Sequence, residues 1–542
     1  MGDVDRDPSE RAPRAPFVAL AVTGAIVLGV RIRLLDLPFE RDEGGYTYTA
    51  QLWLDGVLPY VGAYGVKMPG IFAAYAAILA VFPDTPRGVH TALALANAAT
   101  AALLFGLARR LLGSGPAAVA TALFLLLSLS YGVQGAFANA EHFAVLLAVG
   151  GLWGIHRCAD PGRRAPVGAL WAGVLLGCAP LVKQHAVAFT AVGGAWLAWS
   201  ALRERPRDPR ALLPVGAFGA GVALPFVAVG VLYASAGAFD DLWFWTVEYA
   251  RSYAAPKPAD RALANLVSGG GFALAAVAGL FALCAVGPLV LLRDPLRRPA
   301  PFLLLWLAGS MLAVVPGFVF RPHYFQFVLP VLAVLGAVTL CALHDGVRRR
   351  AGRAAAASAV AAVSVLALGQ FVWNQHRYLW TLPPGEIVEI AYPGNPFRQS
   401  PAIAEIVRAH SRPDDTVAIL GSEPQIYVYA DRRAATGFLY MYALMEDHPW
   451  AAEMQRRAIA EIESSSPAVL VFVRSRLSWL QRADSHPELF RWLETYVQGF
   501  EPVERIPLPR PGDAVEIWRR RSPAGDQGEV PGTGDQPPPS AL

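Results

Sequence analysis

The chain has 542 residues, of which 54% are hydrophobic and only 16% charged, and its mean hydropathy is +0.38. A soluble globular protein carries charge nearer roughly 25%. The deficit, with 50 Gly and 44 Pro, excludes a soluble enzyme, a disordered chain and a coiled coil. The net charge of +4 is too small and too dispersed to argue for nucleic acid as a partner. The cysteines Cys158, Cys178, Cys284 and Cys341 lie in or beside apolar runs, no two at metal-ligand spacing.

Residues 1–16 are polar and read as a disordered cytoplasmic tail. Phe17–Val30 is apolar with no small-residue cleavage site after it, so it reads as a retained first span. Further spanning runs follow near 89–108, 116–132, 142–157, 166–182, 185–202, 211–233, 271–292, 301–320, 323–343 and 354–373. Ile71–Phe82 is too short to cross and reads as an interfacial helix. One alternate set of loops holds sixteen arginines between Arg109 and Arg353, and the facing set holds five cations, Lys183, Arg251, Lys257, Arg261 and Arg321. The positive-inside rule puts the first set in the cytoplasm. The loops at 31–88, 133–141, 234–270 and 321–323, and everything after 374, then face outward. Arg31 and Arg33 run against the rule.

Residues 374–542 carry 22 of the 42 acids and no spanning run. Thr416–Leu420 and Ala468–Val473 read as buried strands, Ala402–Ala409 and Ala451–Ile462 as helices, and Pro502–Pro507 with Ala514–Trp518 as an edge hairpin. The fold class expected is a polytopic α-helical membrane protein of about eleven transmembrane helices, 17–373, with its first outward loop at 36–88. A small extracytoplasmic α/β domain follows at 374–520, and then a disordered tail at 521–542. No phosphate-binding Gly loop is present, which argues against an ATP-driven pump.

The most informative stretch is Glu40-Arg41-Asp42-Glu43-Gly44-Gly45-Tyr46, just beyond the first span. A partly desolvated carboxylate there, Asp42 or Glu43, suits general-base work. A solvated acidic loop is the plainer alternative. Lys67 precedes the interfacial helix, where an ammonium either holds a lipid phosphate or snorkels as an anchor. Glu141 and His142 sit between apolar helices, where ionisable groups are costly. Glu141 is a third catalytic candidate, with a pair of interfacial residues reaching water as the plainer alternative. Glu141 and His142 are both weak metal candidates that would need a further ligand from Asp42 or Glu43. Arg321, His323 and Tyr324 are all potential donors to a phosphate, or else an aromatic and arginine anchor. Lys183 interrupts an apolar stretch and must pair or face a wet cavity. The loop Phe239–Gly270 reads as an interfacial amphipathic segment, with a lid or sugar-stacking surface as the alternative.

An acidic pair after the first span, Gly56-x-x-Pro59-Tyr60, Lys67-x-Pro69 and a short second loop with an acid together resemble the GT-C glycosyltransferases. The likeness is greatest to family 39, with its protein O-mannosyltransferases, and to the lipid A aminoarabinose transferases. Pro322-His323-Tyr324 running to Pro330 resembles a Pro-x-Tyr segment of the latter. The resemblance implies a GT-C-like fold and an inverting glycosyltransferase in a bacterial inner membrane. Its donor would be a hexose or pentose on a polyprenyl phosphate, and its acceptor an envelope lipid, glycan or protein on the outer face. Asp42 maps to the catalytic base or acceptor-orienting acid, Lys67 to a donor-phosphate ligand, Glu141 to the second-loop acid and Tyr324 to the late tyrosine. Here Lys-Met-Pro stands where the family often has Lys-Pro-Pro, and Glu141 where it often has Asp. No Mg-nucleotide is needed by this chemistry, and a divalent metal ion stays open as a cofactor. Two other classes remain open: a secondary transporter or lipid-sugar flippase, and a non-catalytic envelope scaffold working through 374–520.

Overall fold

The computed structural model describes residues 14–158, 165–204, 209–253, 258–292 and 299–521. The tails expected at 1–16 and 521–542 fall outside these residues, except for 14–16, at the start of the first helix, and Arg521. Loop cations Arg163, Arg164, Arg205, Arg207, Lys257, Arg293, Arg297 and Arg298 also fall outside them.

The helices run α1 Ala15–Arg33, α2 Arg41–Leu54, α3 Pro69–Leu79, α4 Pro86–Leu112, α5 Ser114–Leu127, α6 Ala140–Cys158, α7 Ala165–Val182, α8 Val187–Glu204 and α9 Leu213–Ser235. Then come α10 Phe239–Trp243, α11 Tyr249–Tyr253, α12 Ala259–Asn265, α13 Gly271–Ala285, α14 Gly287–Leu291, α15 Ala300–Val314 and α16 Leu329–His376. Seven helical stretches are long and apolar enough to cross a membrane: Ala15–Arg33, Pro86–Leu112, Ala165–Val182, Gln184–Arg203, Arg210–Ser235, Ala259–Leu291 and Pro322–Thr381. The chain is a multi-pass membrane protein, with seven such stretches among the described residues against about eleven expected. Four spans make the difference, one of them 142–157, which is α6, of 19 residues. The expected spans at 116–132 and 301–320 are α5 and α15, of 14 and 15 residues. Their α-helical parts reach roughly 21–23 Å, and 3-10 turns at Tyr131–Val133 and Pro316–Phe318 carry the chain on beyond each. The runs at 323–343 and 354–373 lie in one element that breaks at Gly352, where φ is +86°. The 11-residue α3 is the short apolar helix expected near 71–82, and it buries Ile71, Phe72, Tyr75 and Ile78.

Arg31 and Arg33 find uses that a charge count does not register. The Arg31 guanidinium donates to the carbonyls of Gly135 and Ser128, both at 3.0 Å, at the C-terminal end of α5. Arg33 donates to the carbonyls of Tyr378, Leu379 and Leu382, beyond α16. Helix ends leave carbonyls unpaired and carry partial negative charge. These two cations are therefore helix caps.

After α16 the chain forms an α/β layer from α17 Pro384–Ala391, α18 Ser400–Ala409, β1 Thr416–Leu420, α19 Gln425–Ala430, β2 Arg433–Ala434, α20 Tyr442–Met445, α21 Ala451–Ser465, β3 Val469–Arg474, α22 Arg476–Trp479, α23 Glu488–Tyr496, β4 Phe500–Pro507 and β5 Ala514–Arg520. The sheet order is β2-β1-β3-β5-β4. β1 pairs in parallel with β2 and β3, whereas β5 is antiparallel to β3 and β4. Four consecutive buried residues in β1 and five in β3 reflect their central positions. The β4–β5 hairpin leaves β4 at the edge, with alternating exposure.

One hydrophobic core runs from Val27 and Val30 of α1 through the helices to Ala418, Leu420 and Leu470 of the sheet. The bridge is α2. Its N-terminus is closed by a capping box in which Glu40 accepts from the Glu43 amide at 2.9 Å and Glu43 accepts from the Glu40 amide at 3.0 Å. Gly44 lets α2 abut α19: a Cβ there would lie 2.4 Å from the Gln425 backbone.

Candidate active site

Where α2, the 56–67 loop, the 239–253 segment, Arg321–Tyr324 and the α/β layer meet, they enclose a cavity of about 1380 Å³, counting the space open to solvent. Asp42, on the first turn of α2, faces it. Lys67 Nζ lies 2.6 Å from Asp42 Oδ2 and donates to the Tyr46 hydroxyl at 3.1 Å, and that hydroxyl in turn donates to Asp42 at 3.2 Å. The Tyr60 hydroxyl, donating to the Lys67 carbonyl at 2.6 Å, fixes the backbone under the ammonium. Asp42 and Lys67 are therefore partners in one site, and Lys67 does not snorkel.

Burial alone would push the Asp42 carboxyl up. The Lys67 charge and its hydrogen bond outweigh burial and hold it well below the usual carboxylate range. Glu40, also on the wall, goes the other way: burial, then the charges of Asp42 and Glu43, push it well above its ordinary value.

Glu43 does not reach the cavity. It is fully buried, and its carboxylate is occupied by His90 Nε2 at 2.9 Å, the Ala138 amide at 2.6 Å and the capping box. The structure places this expected catalytic acid at the joint between α2, α4 and the 133–139 segment, off the cavity wall.

Glu141 sits deeper, with Lys183 Nζ 2.9 Å from its Oε1 and His323 Nε2 at 3.9 Å. The interrupted apolar run at Lys183 is thus explained by an ion pair, and the Lys183 ammonium also lies 4.7 Å from the centroid of the Tyr324 ring. His323 Nδ1 donates to Gln134 Oε1 at 2.8 Å, and Gln134 Nε2 donates to the Ala391 carbonyl at 3.0 Å. Arg321, His323 and Tyr324 all line the cavity. His142 does not, and its Nδ1 faces Asn97 Oδ1 at 3.3 Å. Among the described residues no three His, Cys, Asp or Glu converge on one point. Asp42 and Glu141 are each neutralised by a lysine, so the residues present do not fit a divalent ion.

The cavity's cations are mostly matched. Arg41 pairs with Glu423 at 2.5 Å, Lys67 with Asp42 and Lys183 with Glu141. Arg321 pairs with no carboxylate among the described residues and lines the cavity. The outer wall is aromatic. Tyr64 stacks on Trp245 with centroids 5.5 Å apart, and Tyr249, Tyr253, Phe397, Tyr440 and Tyr442 complete it. The 239–253 segment turns Trp245 and Tyr249 into the cavity wall against the α/β layer and leaves Phe239 and Trp243 exposed on its other face. Arg41, Tyr46, Gln134 and Glu423 escaped sequence reasoning. Glu423, an acid just past a buried strand, had the strongest latent signal, whereas Gln134 stands out only in the structure, by its φ of +55°.

Residues 66–229 match the family described as dolichyl-phosphate-mannose-protein mannosyltransferase. No curated protein matches the chain. Among solved structures, ArnT from Cupriavidus metallidurans bound to undecaprenyl phosphate superposes with a TM-score of 0.56 at 15% identity, over 94% of this chain and 98% of that one. Its apo state gives 0.54 at 16%, over 93% and 98%. The archaeal oligosaccharyltransferase AglB from Archaeoglobus fulgidus, in complex with an inhibitory peptide and a dolichol-phosphate, gives 0.51 at 13%, over 85% and 70%. At such identities the likeness is one of fold.

Proposed function

We propose that this chain, which resembles the GT-C glycosyltransferases of family 39, is an inverting transferase that moves a hexose or pentose from a polyprenyl phosphate to an envelope lipid, glycan or protein. The observation that carries this reading is the single cavity in which Asp42 faces Lys67, Arg321, His323 and Tyr324. It combines one acid for an acceptor hydroxyl with an excess of cationic and hydroxyl donors for a phosphodiester.

The charge balance gives the sequence of events. The donor phosphodiester carries one negative charge, which Arg321 matches before reaction. As the acceptor oxygen bonds to the anomeric carbon, the carbon–phosphate-oxygen bond breaks on the opposite face. The leaving phosphate gains a second negative charge, and the acceptor proton passes to Asp42. Neutralising Asp42 frees the Lys67 ammonium for the phosphate. The same pair thus serves base and leaving group in turn, without protonation of the phosphate. His323 and Tyr324 flank the phosphate, and Glu141 with Lys183 holds the wall behind it.

The reading is tested by deleting the gene in its host and profiling lipids and envelope by mass spectrometry. Polyprenyl-phosphate sugars should accumulate and an under-glycosylated envelope component should appear. An unchanged lipid-linked pool with an unaltered envelope would reject it.

The proposed location is a bacterial inner membrane, with the cavity and the α/β layer outside the cytoplasm. Fusions of a periplasm-active reporter after Glu141 and after Trp373 should be active, and fusions after Arg110 and Arg350 inactive. An active fusion at Arg350 would put the cavity on the wrong face. The bias of sixteen cations to five motivates this expectation.

A further inference from the structure

Ligands of open α/β sheets bind in the crevice beyond the carboxyl ends of parallel strands. In this chain the loops leaving the parallel strands β1 and β3 meet the first turn of α2, and the crevice is filled by the chain's own Arg41. Arg41 Nε donates to the Ser422 carbonyl, and its terminal nitrogen donates to Glu423 Oε1 at 2.5 Å and Asn395 Oδ1 at 3.1 Å. The guanidinium lies 5.3 Å from the centroid of the Phe397 ring and 5.5 Å from that of Tyr442. Glu423 is 0% exposed. Besides Arg41 it accepts from the Ser478 hydroxyl and the Gln425 side-chain amide, both at 2.8 Å. Its own orientation is therefore fixed by two side chains before it engages α2.

Arg41 is the residue before Asp42. A guanidinium clamped in this way allows the first turn of α2 neither to rotate nor to slide, and Gly44 against Gln425 removes the remaining clearance. We infer that Glu423 is a positioning residue for sugar transfer: through Arg41 it fixes the first turn of α2 and so aims the Asp42 carboxylate at the acceptor hydroxyl. This inference rests on the transfer reaction proposed above. It makes the α/β layer part of the catalytic apparatus, although Glu423 itself touches no substrate. A misplacement of about 1 Å at a reacting group costs on the order of 100-fold in rate.

The test is a double-mutant cycle on the full chain in nanodiscs. The rate is release of undecaprenyl phosphate from undecaprenyl-phosphate-linked mannose or arabinose, with water or added methanol supplying the acceptor hydroxyl. Glu423→Gln keeps the shape and removes the charge that orients Arg41. It should lower kcat by about 10- to 100-fold with the donor KM unchanged. In an Asp42→Glu background, where the base is already misplaced, the same change should cost less than about threefold, because coupled residues are not additive. Equal fold losses in both backgrounds would show that Glu423 acts elsewhere and would overturn the inference. Arg41→Lys, which keeps charge but not the fork, should give an intermediate kcat, and wild-type kcat would overturn it likewise. A second arm needs no turnover. Amide exchange over residues 40–46 should accelerate in Glu423→Gln while that of α4 stays put, and unchanged protection at 40–46 would refute the clamp. A wild-type protein that releases no undecaprenyl phosphate would count against the proposed reaction, leaving the exchange arm to decide the positioning role.

Discussion

Asp42→Asn is expected to lower kcat for sugar transfer by about 10²- to 10⁴-fold, the range spanned by loss of a positioned general base. Donor KM should stay near wild type, because Lys67, Arg321, His323 and Tyr324 remain in the cavity. The substitution keeps the side chain's shape and its capacity to accept from Tyr46, but it removes the basic oxygen that receives the acceptor proton. It also strands the Lys67 ammonium, which then binds the donor phosphate before reaction instead of during it. Ground-state binding gains nothing for the barrier when the transition state gains no more. Donor affinity in Asp42→Asn should therefore equal or exceed wild type while turnover collapses. The assay is single-turnover release of polyprenyl phosphate, with polyprenyl-phosphate affinity measured separately. If turnover persisted within threefold of wild type, Asp42 would not be the base. A lost donor affinity would place Asp42 in binding instead.

Much of this site was readable from local signals. An acid pair next to a span, a lysine before a helix-starting proline and an Arg-Pro-His-Tyr junction each announce a polar group where burial is costly. Asp42, Lys67, Arg321, His323 and Tyr324 carry such signals and line the cavity, and Glu141 carries one and pairs with Lys183. What local reading does not supply is partnership. Asp42 and Glu43 are adjacent in sequence, yet the α2 helix turns Asp42 to the cavity and Glu43 into contact with His90 and the Ala138 amide, 47 and 95 residues away. Lys183 meets Glu141 and Arg41 meets Glu423 only because distant segments converge. Every expected span holds a helix, and the gap left between 343 and 354 holds the break at Gly352. Apolar length in sequence does not reveal where a helix ends early, as in α5 and α15. The sheet was more legible, because buried parallel strands read as continuous β-branched runs, and the strands at 416–420 and 469–474 form close to where those runs lie. The packing of that sheet onto α2, which turns the α/β layer into a wall of the cavity, had no sequence signature except Gly44 and Gly45.

Removing the Lys67 charge is expected to act on both halves of the reaction, and the two effects separate by pH. Charge-assisted contacts contribute roughly 1.5–3 kcal/mol each. Losing the contact to the leaving phosphate should therefore lower kcat/KM by about 10- to 150-fold in Lys67→Ala. Lys67→Arg should lose less, since it keeps the charge and alters only its shape and reach. The backbone is pinned through Tyr60, so neither change should move the loop. The second effect falls on Asp42. In the wild type the Lys67 ammonium holds that carboxyl below its usual range. It is therefore ionised throughout ordinary assay conditions, and the rate should be flat on the acid side until other groups titrate. A carboxyl depressed in the folded state adds stability above its unfolded value, and that stability disappears as pH falls through the folded one. Without Lys67, burial becomes the leading influence and pushes the carboxyl up. Asp42 then takes its proton from solvent at higher pH, and the base is spent before the acceptor arrives. Lys67→Ala should accordingly lose kcat as pH is lowered through the range in which wild type stays flat, and Lys67→Arg should follow the wild-type profile. A uniform loss at all pH values would confine Lys67 to the phosphate. A pH-dependent loss without a change in donor KM would confine it to Asp42, and only the two together match an ammonium that passes from one partner to the other during transfer.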